Sequence, residues 1–338
     1  MLNKGVINLA TLRENAIAIK NRLNPCVKFC AVCKADAYGH GAEEVSNAIY
    51  DIVDCFAVAL PEEGVKLRQC GIKKDILVLT PIVKYDIDSI VRHNLTACID
   101  SLSTLKDVER VAKRYRTAVK VHIAINTGMN RFGMDDLDEL KSAFEFVKDK
   151  KYIAIEGIFS HFYNPQDERA TKTQLKKFLL AKKVAICYNK DTVCHVSASG
   201  GLLRGIQLDM VRVGILLYGY KPFKCNAISV KPVLKVYTHV IRTRRVKKNE
   251  NVLYGDYPAL KDEEYCILRW GYADGLFRKE TKGKINNACM DAVAYRLNGT
   301  RKNAVRLPDA DALAKNYDTI SYEILTKITM RLRKEYIR

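Results

Sequence analysis

KFCAVCKADAYGHG, residues 28–41, is the stretch on which the fold reading turns. It begins as an apolar run with no polar face, meets Lys34, and passes at once to Tyr38, Gly39 and Gly41. A run that short, hydrophobic on both faces, marks a strand buried in a parallel sheet. Seven runs of the same kind follow: CFAVAL (55–60), DILVLT (75–80), LTACID (95–100), AVKVHIAIN (118–126), YIAIEGIF (152–159), TVCHVSA (192–198) and LDMVRVG (208–214). Between them lie helical patterns such as PEEGVKLRQCG, SLSTLKDVERVAKRY and QLKKFLLAKKVAICY. Eight such strands, each followed by a helix or a helix-length segment, predict a (β/α)8 barrel.

Past about residue 222 the rhythm changes. VLKVYTHVIRTRRV, NVLYGDY and YCILRWGY read as short strands separated by turns, without regular intervening helices. The expected fold class is therefore α/β: an N-terminal (β/α)8 TIM-like barrel over residues 1–222 and a C-terminal mainly-β domain over 223–338. Residues 1–9, through VINL, are placed to pair with that second domain before the helix ATLRENAIAIKNRL begins.

Composition sets outer limits. Apolar residues make up 48% and charged residues 28% of the 338, as in ordinary globular chains. No apolar stretch approaches the ~20 residues that cross a bilayer, and the N-terminus lacks a secretory pattern, so a cytoplasmic location is expected. The 57 lysines and arginines outnumber the 38 acids, leaving +19. The basic stretches RTRRVKK (242–248) and RLRK (331–334) carry no interleaved stacking aromatics and no nucleic-acid motif, so neither nucleic acid nor membrane is an expected partner. Eleven cysteines at irregular spacing, including Cys30-x-x-Cys33 inside an apolar strand, read as reduced core residues. No second pair completes a tetrahedral site, so no metal is expected.

In a barrel the C-terminal strand ends carry the chemistry. Lys34 closes the first run, where a lysine is costly to desolvate unless paired or covalently used. Later strand ends add His161, the Ser199-Gly200-Gly201 turn, and Arg212 with Gly214 and Ile215. The loops after the seventh and eighth strands are where barrels commonly hold phosphate, through backbone amides and a hydroxyl. A lysine for covalent attachment, a phosphate cradle and an arginine beside them point to pyridoxal 5'-phosphate.

KADAYGHG, TGMNRFG (127–133), Ser160-His161, HVSASGG (195–201), MVRVGILLYG (210–219), LYGDY (253–257), GYADG (271–275), CMD (289–291) and TISYE (319–323) occur in the order found in the alanine racemase family, which the chain resembles over nearly its whole length. The resemblance implies an isomerase that interconverts L- and D-alanine by two bases, with serine as the next candidate substrate. It implies that Lys34 carries pyridoxal phosphate and is one base, and that Tyr254, from the partner subunit of a homodimer, is the other. His161 and Arg212 would support Tyr254, with Arg212 facing the ring nitrogen. Arg131 would contact the cofactor's phenolic oxygen and the substrate carboxylate. Tyr38, Ser199, Gly214, Ile215 and Tyr322 would hold the phosphate. Met290 would lie near the substrate, Asp291 would orient the partner's Arg131, and Tyr272 would line the entrance. Where many members carry a modified lysine and, two positions on, an acid, this chain has Ala124 and Asn126, so water, a chloride or Asn126 itself is left to serve Arg131, and a bound chloride or ordered water beside Asn126 is the expectation. Ala198 replaces a common asparagine, and the segment 279–288 is short.

The same residues bear on two rival readings. A fold-related amino-acid decarboxylase would need a catalytic cysteine motif in the β domain, and LYGDY with CMD argues against it. A pyridoxal-phosphate homeostasis protein would be a barrel alone, and the chain after residue 222, bearing Tyr254, argues against that.

Overall fold

The computed structural model describes residues 3–254, 258–278, 285–286, 288–296 and 303–338. Fifteen strands are present among them: β1 (Lys4–Asn8), β2 (Lys28–Val32), β3 (Cys55–Val58), β4 (Ile76–Pro81), β5 (Thr96–Ile99), β6 (Val119–Ala124), β7 (Ile153–Phe159), β8 (Val193–His195), β9 (Met210–Val213), β10 (Leu234–Val246), β11 (Glu263–Leu268), β12 (Ile285–Asn286), β13 (Val293–Arg296), β14 (Ala304–Arg306) and β15 (Arg333–Ile337).

Strands β2 to β9 form one parallel sheet in the order β8-β7-β6-β5-β4-β3-β2-β9. Every residue of β5 and β9 is buried, as a strand covered on both faces requires. The seam lies between β8 and β9. There the Arg212 N–H donates to the Ser197 carbonyl at 3.0 Å and the Asp209 N–H to the Cys194 carbonyl at 3.1 Å, while Ala198 and Arg212 form a parallel bridge. The sheet thus curls into a barrel, with helices between strands. Capping explains where several of these helices start: Ser101, Asp136 and Asp167 accept from the backbone three residues on, and Pro61 opens the helix Pro61–Gln69.

Contacts divide the chain into two compact units. One comprises Arg13–Ala35 and Ala42–Val230; the other comprises Met1–Leu12, Asp36–Gly41 and Lys231–Arg338. In the second, β1 lies inside the sheet, antiparallel to β10 (Val6 opposite Lys235) and parallel to β15 (Val6 opposite Glu335). The full order is β12-β13-β11-β10-β1-β15, with β14 on β10. This unit also holds helices Ala310–Tyr317 and Ser321–Ile328, where the sequence suggested only strands and turns. Asp309 caps the first through the Ala312 N–H, and Asp318 ends it in a left-handed conformation. TISYE therefore reads as a helix start. The eleven cysteines are free thiols. Among the described residues, no helix is long and apolar enough to cross a membrane.

Candidate active site

Lys34 stands two residues beyond the end of β2, at the C-terminal rim of the barrel. Burial lowers its pKa, the positive charge of Arg131 lowers it further, and Glu63 opposes both. Glu63 also organises this rim. Its carboxylate accepts from the Ala35 N–H at 2.6 Å, from Ala59 at 2.8 Å and from Leu60 at 3.0 Å, tying the start of the Lys34 turn to the loop after β3. Directly after Lys34 the backbone is left-handed for four L-residues in a row, Ala35, Asp36, Ala37 and Tyr38, at φ of 52, 53, 54 and 53°. Such residues cost of order 1 kcal/mol each and persist only where the surroundings dictate them.

Arg212, on β9, is 3% exposed. Its Nη1 donates to Nδ1 of His195 and, at 3.2 Å, to the His195 carbonyl. Its Nη2 donates to the Ser160 carbonyl at 2.7 Å and the Val196 carbonyl at 3.2 Å, with His161 Nδ1 at 3.5 Å. Among the described residues Nε–H meets no acceptor, so it is the donor available to a ligand. Burial draws the guanidinium pKa down to about 10. His161 follows β7, and Gln174 anchors its carbonyl at 2.9 Å. Burial first, then the cations Arg212, Arg131 and Lys34, bring its pKa down to about 3, so the imidazole is neutral at physiological pH.

The bridge between Ala198 and Arg212 sets two turn starts side by side. Buried Ser199 opens the short helix Ser199–Leu203, and Gly214 with Ile215 opens the turn that the Leu217 N–H closes on the Gly214 carbonyl at 2.8 Å. Leading N–H groups of a turn have no carbonyl within it to serve. Together with the Ser199 hydroxyl they form a donor set suited to a phosphate dianion.

Arg131 lies on the loop after β6, its guanidinium 4.5 Å from the centre of the Phe132 ring. Burial lowers its pKa. It has no ion pair among the described residues. With Ala124, Asn126, Phe159, Ser160 and His161 it borders a cavity of about 20 Å³, room for about one water. Of the substitutes named for the missing acid, Asn126 does not turn its side chain to Arg131. Asn126 Nδ2 donates to Asp135 at 2.8 Å and to Asn130 at 3.0 Å, while its oxygen accepts from the Gly128 and Asn130 N–H groups. Its side chain is spent on its own loop.

In the second unit, buried Tyr38 and half-buried Tyr322 bring their rings to 6.0 Å, and partial burial pushes the Tyr322 hydroxyl up to about 12. Gly39, at φ +82°, fits only as glycine, because a Cβ there would sit 1.9 Å from the Thr329 hydroxyl. Tyr254, Met290 and Tyr272 are 68%, 55% and 42% exposed. Residues 255–257 of LYGDY lie outside the described residues, as does most of the short 279–288 segment. Asp291 pairs within its own chain with Arg331 at 2.9 Å, and its side chain is 63% exposed.

The reading from sequence overlooked Glu63, Gln174 and His195, although His195 stood in the HVSASGG motif. A histidine four residues before the phosphate serine, on an inward strand position, was the available signal.

A parallel barrel that gathers a depressed lysine, a buried arginine with one donor to spare, a neutral histidine and a phosphate cradle at its C-terminal rim is a pyridoxal-phosphate barrel enzyme in kind. The family profile "Alanine racemase, N-terminal domain" matches residues 7–222 and "Alanine racemase, C-terminal domain" residues 233–336. The alanine racemase of Aquifex pyrophilus is 32% identical over 92% of this chain and 92% of its own length. A solved alanine racemase structure from Clostridium difficile 630 is 30% identical, with a TM-score of 0.92 over 100% of this chain and 96% of that one. A more distant structure, alanine racemase from Bartonella henselae with covalently bound pyridoxal phosphate, shares the fold at 24% identity and a TM-score of 0.87, over 100% of both chains. The chain belongs to the alanine racemase family.

Proposed function

We propose that this chain interconverts L- and D-alanine with pyridoxal phosphate, that serine is its next substrate, and that it works as a cytoplasmic homodimer. The observation that carries the reading is the convergence of Lys34, Arg212, His161 and the Ser199 and Gly214 turns at one barrel rim. Pyridoxal phosphate, when bound, supplies an aldehyde for covalent attachment and an electron-withdrawing ring that acidifies the substrate's α-hydrogen.

Lys34 would hold that aldehyde, and its lowered pKa makes the neutral, proton-accepting amine accessible. Ser199, Gly214 and Ile215, with Tyr38 and Tyr322, would hold the phosphate. Arg212 would meet the ring nitrogen through Nε–H. An arginine does not surrender its proton, so that nitrogen stays unprotonated and the ring withdraws electrons moderately. Arg131 would bind the substrate carboxylate.

Inverting a stereocentre requires a proton taken from one face and returned to the other. Tyr254 of a second copy is the opposing group. Its exposure supports that reading, as does the exposure of Met290 near the substrate and Tyr272 at the entrance. His161 would relay between Arg212 and that tyrosine.

The test is a chiral assay of purified protein with added pyridoxal phosphate against each chiral proteinogenic L-amino acid. Alanine should racemise fastest and serine next; no D-alanine would overturn the proposal. Borohydride reduction and peptide mapping should leave the pyridoxyl label on Lys34, and a label on another lysine would sink that assignment.

A further inference from the structure

Behind the rim, a line of polar side chains runs from Arg212 through the barrel to solvent. Arg212 Nη1 bonds His195 Nδ1, His195 Nε2 lies 2.8 Å from His122 Nδ1, and His122 Nε2 lies 3.7 Å from Glu156 Oε2. Glu156 Oε1 meets Lys120 Nζ at 2.9 Å, and Lys120 reaches Asp75 at 3.2 Å. His195 is fully buried, His122 nearly so, and Glu156 about half. The proposed roles of the rim residues do not call on His122, Glu156 or Lys120.

The direction of this chain follows from its ends. An arginine N–H only donates, so His195 Nδ1 accepts. A neutral imidazole has one donor and one acceptor, so His195 Nε2–H donates to His122 Nδ1, and His122 Nε2–H points to Glu156. A second proton on either ring would set two donors against each other somewhere between Arg212 and His122. Burial lowers the pKa of both rings, which keeps them neutral. The His122 contact and then Lys120 hold the Glu156 carboxyl down at about 2, so the far end stays an anion.

Two backbone features build the line. Register between β6 and β7 pairs Val121 with Ile155 but His122 with Gly157, so Glu156 is an extra, bulged residue in a parallel pair. Such bulges are rare in parallel sheets and serve to re-aim a side chain. Gly157, next to it, leaves room for the imidazole: a Cβ there would come within 2.6 Å of His122 Cε1 and 2.7 Å of its Nδ1. A glycine inside a strand weakens it, so its presence marks a close approach.

We propose that Glu156 is a positioning residue for this enzyme: through His122 and His195 it fixes the tautomer that receives Arg212, and so aims the one donor of Arg212 that is left for the cofactor ring. The proposal rests on the reading that Arg212 faces that ring.

The test uses protein labelled with ¹⁵N at its six histidines, followed by NMR from pH 6 to 9, without and with pyridoxal phosphate. In the wild type, His122 and His195 should each show a protonated Nε2 and a bare Nδ1. Glu156→Gln, whose amide oxygen can still face the His122 Nε2–H, should keep both tautomers. Glu156→Leu should lose the His122 tautomer and lower kcat about tenfold with KM little changed, as loss of an outer partner commonly does. Glu156→Asp, with its shorter reach, gives the same readings in milder form should the leucine variant not fold. Gly157→Ala should reproduce the signature by displacing the His122 ring. An Nδ1–H form of either ring in the wild type would overturn the proposal. So would intact tautomers in folded Glu156→Leu, or lost tautomers with kcat unchanged. Tautomers read without cofactor test the chain itself, whereas a pyridoxyl label away from Lys34 would instead defeat the functional reading.

Discussion

Lys34, Arg212 and His161 of the barrel unit and Tyr254, Met290 and Tyr272 of the second unit sit under opposite conditions. In the barrel, Arg212 is buried and nearly all its donors are satisfied, His161 is neutral and anchored from behind, and the Lys34 turn is laced to Glu63. In the second unit, Tyr254, Met290 and Tyr272 are exposed, and so are Ile241, Leu260 and Met330. A buried, preorganised set finishes its geometry within one unit. An exposed tyrosine, in a unit that also leaves large apolar side chains uncovered, is the condition of a residue that acts on something brought to it.

The comparison can be broken from the barrel side first. Lys34→Ala should remove racemase activity by at least about 10³-fold and abolish the visible band that borohydride bleaches, since a covalent anchor and a base go together. Tyr254→Phe comes next, at about 10²–10⁴-fold in proton transfer on one face with cofactor retention unchanged. Spectroscopic titration with pyridoxal phosphate alongside the kinetics separates the two. If Tyr254→Phe instead sheds the cofactor, the division of labour drawn here is wrong.

Acid should strike the barrel harder than the second unit. His122 and His195 have folded pKa values below the ordinary ~6.5, so the unfolded chain binds their protons first. Their neutral burial therefore costs nothing above pH ~6.5, and stability falls as the pH drops below it, by up to about 1.4 kcal/mol per pH unit for each ring. His161, held at about 3, adds to this in the barrel, while the second unit has buried His40, held at about 4. Hydrogen exchange at pH 7.5 and pH 5.5 should show barrel amides losing protection more than those of β10 and β11. Uniform loss would contradict the accounting. The smallest effect belongs to Asp291. Its pair with Arg331 is well exposed, so Asp291→Asn should shift urea stability by less than about 1 kcal/mol. A tenfold fall in kcat from the same change would mean that Asp291 leaves Arg331 to serve the site.

The barrel was legible because its physics is local. Runs apolar on both faces, such as DILVLT and LDMVRVG, have few places to go but a covered parallel sheet, and a lysine ending KFCAVCK had to be explained by chemistry. The two C-terminal helices were not legible, because eight-residue segments such as ADALAKNY and SYEILTKI alternate too briefly to separate from turns. The bonding of Asn126 was not legible for a related reason. Its partners, Asp135 and Asn130, sit in a loop whose path no periodicity encodes. The His122–Glu156 line was hidden by a bulge, and a register shift is a property of two strands rather than of either one.

The central claim is that a working site needs the barrel of one copy and Tyr254 of another. Mixing Lys34→Ala with Tyr254→Phe under conditions that exchange subunits tests it most directly. Each parent alone should be nearly inactive. A mixed dimer holds one complete site of two, built from the intact Lys34 of one subunit and the intact Tyr254 of the other. With half the dimers mixed, the 1:1 sample should recover about a quarter of wild-type turnover. Activity no higher than the average of the parents would contradict the account, placing both bases in one chain or dismissing Tyr254 as a base.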